Sequence, residues 1–79
     1  MKNPAIKVGT KFISALELLD SDENGADRLT PAGSIAEIIS IDDYPNQGLT
    51  YGFHFQSTGA TGYLLEAEIL DKTHFTLEG

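Results

Sequence analysis

The six residues Asp20-Ser21-Asp22-Glu23-Asn24-Gly25 are the densest set of potential metal ligands in the chain. Asp20, Asp22 and Asn24 stand at the first, third and fifth places and Gly25 at the sixth, as in the opening half of a twelve-residue calcium-binding loop. There the oxygens surround the ion and the glycine makes the sharp turn. The preceding Phe12-Ile13-Ser14-Ala15-Leu16-Glu17-Leu18-Leu19 has the look of an entering helix. The second half departs from the pattern. Pro31 stands where a bidentate glutamate is needed, and Asp27 where an apolar residue should pack. An acidic, solvated loop is the preferred reading, with an EF-hand-like calcium loop as an alternative.

The two histidines share no short spacing, which makes a poor zinc site. His54 lies between Phe53 and Phe55, so aromatics pointing inward turn it outward, beside Gln56 and Glu66. A general base needs a nucleophile or substrate within reach and an orienting carboxylate. Asp42, Asp43 and several serines are present, but no Gly-x-Ser-x-Gly elbow places any of them. His74, near the chain end, has even less around it. Gly59-Ala60-Thr61-Gly62 precedes a strand, whereas phosphate loops use the amides of a helix N-terminus, so it reads as a hairpin turn. No catalytic residue is assigned. The remaining candidate is a contact surface: Tyr44, His54 and Leu64 as a small apolar patch, ringed by Glu66, Glu68, Asp42 and Asp43.

The elements that position these groups follow from hydrophobic periodicity. Leu49, Tyr51, Phe53 and Phe55 recur at every second residue, which gathers four large side chains on one face of a strand and on no face of a helix. Ile35 to Ile41 holds four isoleucines, whose β-branching favours a strand. Ile38 and Ile39 are adjacent there, which predicts a strong bend or a bulge. Asp42 to Gly48 reads as a hairpin loop and Ser57 to Gly62 as a turn. Tyr63, Leu65, Ala67 and Ile69 should then face inward, with Leu64, Glu66 and Glu68 outward. Phe75 and Leu77 make a short final strand. Residues 1–8, interrupted by Lys2, Pro4 and Lys7, look like a loose lead-in. Lys11 to Leu19 fits helical spacing and a short strand equally; the preferred reading is a strand over its first half that breaks into a loop near Leu18. Asp20 to Arg28 is a long polar loop, and Thr30-Pro31-Ala32-Gly33 a turn.

At 79 residues the chain is one domain, and without cysteine it has neither disulfides nor thiolate metal sites to supplement its core. A net charge of −7 with five basic residues disfavours nucleic acid, whose binding displaces phosphate counterions with clustered Lys and Arg. Anionic membrane surfaces are disfavoured likewise. No signal peptide or membrane span is apparent in the sequence, so a cytoplasmic location is expected.

The order of long irregular loop, Pro-Ala-Gly-Ser turn, three antiparallel strands, tight turn and short closing strand resembles that of small bacterial SH3-like barrels, over roughly residues 9–77. The resemblance implies an all-β, partly open barrel of about five strands. Such barrels serve as binding, oligomerising and occasionally catalytic domains. A few plasmid-borne dihydrofolate reductases are similar in length and layout, but their valine-glutamine-isoleucine-tyrosine segment has no match at Gly62-Tyr63-Leu64-Leu65. The function expected is a non-catalytic interaction or assembly module whose partner is another protein or a second copy of the chain. A calcium-loop protein and a barrel reductase remain the alternatives, and no cofactor other than calcium is suggested.

Overall fold

The period-two run of large side chains forms the central strand, and the rest of the chain is arranged around it. The computed structural model of the protein describes residues 4–78. In chain order the elements are β1 (Lys11–Ser14), β2 (Leu18–Asp22), β3 (Asp27–Thr30), β4 (Ile35–Tyr44), β5 (Gly48–Phe55), β6 (Ala60–Leu65), the one-turn helix α1 (Glu66–Ile69) and β7 (Phe75–Glu78). The strands form a single antiparallel sheet, curled into a half-barrel, in the order β3-β2-β6-β5-β4-β1-β7. No helix among the described residues is long and apolar enough to cross a membrane.

Leu49, Tyr51, Phe53 and Phe55 are all buried on the inner face of β5. Phe12 of β1 meets three aromatic rings edge-on, with centroids 5.8 Å from Phe53, 6.3 Å from Phe55 and 5.5 Å from Phe75. This geometry sets the positive ring edge against the negative ring face and adds to the gain from burial. Ala36, Ile38 and Ile69 complete the wall, and Ile6 is buried with them, so the segment before β1 belongs partly to the core.

Seven strands are present among the described residues where about five were expected, because the acidic stretch is not a loop. Asp20 to Arg28 is the tip of a hairpin, with Leu18 opposite Thr30, Leu19 opposite Leu29, Asp20 opposite Arg28 and Ser21 opposite Asp27. Its turn is held by Asp22, whose Oδ1 accepts the amides of Asn24 at 2.9 Å and Ala26 at 3.0 Å. The entering helix is replaced by β1, a bend and β2. The chain leaves the strand at Ala15, earlier than Leu18, because Ser14 Oγ accepts the Leu16 amide and donates to the Leu16 carbonyl. Pairing of β1 with both β4 and β7 outweighs the helical spacing.

The adjacent isoleucines do mark a bulge. Ile38 opposes Phe53 and Ser40 opposes Gly52, leaving Ile39 unpaired and exposed. Before the bulge β4 lies between β1 and β5; beyond it β4 pairs with β5 alone, as a curled sheet requires. The Asp42–Gly48 loop is tighter than expected, since β4 runs to Tyr44 and β5 starts at Gly48.

Candidate functional site

The side chains facing away from the core are set by strand register. On β5, Thr50, Gly52 and His54 alternate with the buried rings. Their partners across the sheet are Leu65, Tyr63 and Thr61 on β6, and Asp42, Ser40 and Glu37 on β4. The β2–β6 pairing puts Ser21 beside Thr61 and so brings Leu19, and its partner Leu29, onto the same outer face. On β2, β3 and β6 three large apolar side chains of this face are open to solvent: Leu19 is 66% exposed, Leu29 58% and Tyr63 69%.

Tyr63 corrects the expected phase of β6. Gly62 opposes Phe53 on the inner face, so Tyr63 points out and Leu64, across from Tyr51, packs against the core. The residues do not alternate on to Ile69, because Glu66 begins a helical turn; Glu68 Oε1 accepts the Leu65 amide at 2.9 Å and closes its start. Gly62 of β6 and Gly52 of β5 are both sterically required. A Cβ on Gly62 would lie 2.6 Å from Phe53 Cζ and 2.9 Å from Asp20 Oδ1. A Cβ on Gly52 would strike Ser40 Oγ and lie 3.3 Å from Tyr63 Cε1, so the Tyr63 ring rests over bare backbone.

The proposed patch is therefore dispersed. Tyr44 is exposed at the end of β4, Leu64 is turned inward, and Glu66 is engaged elsewhere: its Oε2 accepts the Tyr51 hydroxyl at 2.7 Å. Burial first, and then this bond, raise the Tyr51 phenol above its ordinary value. Glu68 is exposed and serves the start of α1.

His54 is half-buried and lines a cleft of about 170 Å³ with Asp22, Glu23, Asn24, Gly59 and Thr61. Glu37, His54 and Thr61 stand in one row across β4, β5 and β6. That order of carboxylate, imidazole and hydroxyl suggests an activated nucleophile, but the Thr61 hydroxyl donates to the Ser21 carbonyl at 3.2 Å and is directed away from the imidazole. His74 Nδ1 lies 3.2 Å from Asp71 Oδ2.

The calcium-loop residues are separated by the hairpin. Asp22 Oδ2 receives Arg28 Nε at 2.8 Å while Oδ1 serves the turn; the Arg28 bond and then the Ala26 amide hold this carboxyl below its ordinary value. Asp20 lies on the inner face of β2 against Gly62, where burial raises its carboxyl. Asn24 is exposed in the turn. A cation here would have to displace Arg28, and among the described residues no three His, Cys, Asp or Glu side chains converge on a point. A second concavity, an apolar groove of about 290 Å³, lies between α1 and β7 and includes Ile69, Phe75 and Leu77.

No family model, curated protein or solved structure matches the chain.

Leu19, Leu29 and Tyr63 were the surface residues that sequence patterns missed. Leu19 and Leu29 flank a Glu-Asn-Gly turn at matched distances, which is a hairpin signal. Tyr63 carried no such signal, because the neighbouring Leu64-Leu65 pair suits either phase.

Proposed function

We propose that this protein is a non-catalytic interaction or assembly module built on an SH3-like, partly open barrel. The observation that carries the reading is the row of Leu19, Leu29 and Tyr63, three large apolar side chains held open on one sheet face. Single exposed leucines are ordinary, but a cross-strand pair of them joined by an aromatic ring on the same face is a feature of contact surfaces. The barrel identity is supported by the β4–β5–β6 meander, the return of β7 to β1, and the β2–β3 hairpin that extends the curled sheet beyond β6. A cytoplasmic setting suits a chain without cysteine.

Crosslinking in cell extract, with sedimentation of the purified chain, tests the reading. A partner, or a reversible dimer, that is lost when Leu19 and Tyr63 are both replaced by serine supports it. A strictly monomeric chain that crosslinks to nothing overturns it.

A further inference from the structure

Charge is unevenly divided over this fold. Residues 17–70 contain ten carboxylates and one Lys or Arg, and that one, Arg28, is bound to Asp22 on the side opposite Leu29. The other cations lie towards the chain ends, Lys11 in β1 and Lys72 before β7 among them. On the outer face of β3, β2, β6, β5 and β4, register places the carboxylates Asp27 and Asp42 on the two sides of the apolar row, and no Lys or Arg; Glu37, farther along β4, stands opposite Lys11 of β1. A second copy would bring a like-signed surface, and nucleic acids and anionic lipids would be repelled.

We infer that this face docks a cationic, apolar segment of another protein, laid across the sheet with its leucine-like side chains over the Leu19–Leu29 pair and a guanidinium or ammonium on Tyr63. This rests on the interaction-module reading and names the partner's chemistry. Leu19 and Leu29 are direct cross-strand partners, so their side chains pack together into one apolar platform on which a partner's apolar side chain can rest. The Tyr63 ring is backed by Gly52, which leaves its other side open, and a cation seated over an aromatic face is drawn by the ring quadrupole. Asp27 beyond Leu29 and Asp42 beyond Gly52 extend the negative field to both sides of the row and speed capture at low salt.

The test is an NMR titration of the isotope-labelled full chain with an eight-residue peptide alternating arginine and leucine. A glutamate–leucine and an arginine–serine peptide of equal length are run in parallel. The expected result is a set of amide shifts confined to β2, β3, β6 and the facing part of β5, with affinity at least about tenfold above either control. Raising salt tenfold should weaken binding several-fold. Tyr63→Thr, which keeps strand propensity, should weaken it about threefold, as loss of an exposed cation–π contact does. Leu19→Ser should weaken it about tenfold; both sites are exposed, and unchanged shift dispersion elsewhere shows that the variants are folded. Equal binding of the glutamate–leucine peptide, equal binding of the arginine–serine peptide, shifts centred on the β7 groove or the His54 cleft, or no binding at millimolar peptide each overturns the inference. The crosslinking experiment is independent of these results: a dimer that forms through this face would keep the module reading and discard the cationic partner.

Discussion

The two ends of the sheet solve opposite problems. Towards β1 and β7, Phe12 stands at the centre of a four-ring cluster and is fully buried, while the outward residues there include the protein's lysine-bearing strand. Towards β2 and β3, the hairpin contributes Leu18 and Thr30 to the inside and turns Leu19 and Leu29 to solvent among carboxylates. The first end is held by packing, the second by polar closures: Asp22 across its own turn, and a 2.8 Å bond between the Thr30 and Thr58 hydroxyls. A small domain needs one dense core, and surface that escapes that requirement is available for recognition.

The largest test of this contrast is Phe12→Ala. Removing the ring common to three edge-on pairs should cost about 3–5 kcal/mol in urea unfolding. A chain of this size has only about 4–12 kcal/mol in total, so the variant should be largely unfolded on mild heating. Leu19→Ser, at the other end, should change stability by no more than about 0.5 kcal/mol. Comparable losses in the two variants would remove the distinction.

Gly62→Ala sharpens the comparison where the ends meet. Its methyl would press on Phe53 from the inner face, and overpacking of this kind costs about 1–3 kcal/mol. A neutral result in thermal unfolding would mean that β6 stands farther from the Phe53 ring than described.

Tyr51→Phe removes the hydrogen bond to Glu66 and should cost about 1 kcal/mol. It should also change the alkaline limb. The folded-state phenol is raised above 10.0, so its contribution is complete below that pH and is lost as pH rises through the folded value, once the unfolded chain can release the proton more readily. Stability profiles of the two proteins should therefore converge at high pH; parallel curves would show that Tyr51 is not the group responsible.

The smallest effect belongs to the hairpin tip. Asp22 is depressed below 3.8, so its closure of the turn is present above that value and is lost as pH falls through the lower folded one. The Asn24 and Ala26 amide resonances should move with a midpoint below 3.8, and Arg28→Gln should raise it. A midpoint at the ordinary value would show that the Arg28 contact is not formed in solution.

Much of this could be read from local pattern. The β5 alternation, the bulge at Ile38-Ile39 and the final strand at Phe75 were legible because each depends on neighbours a few residues away. The acidic stretch is ambiguous in sequence because Asp, Asn and Gly suit a loop and a hairpin tip equally. The leucines that distinguish the two lie outside the polar run.

Sequence alone determined that the chain forms strands, since a period of two is a property of consecutive side chains. Folding in three dimensions decided which surface is sticky. Whether Tyr63 or Leu64 faces water depends on setting Gly62 against Phe53, and the apolar row exists only because Ser21 lies beside Thr61, forty residues away. No local preference encodes such a pairing; the fit of rings against bare glycine backbone selects it.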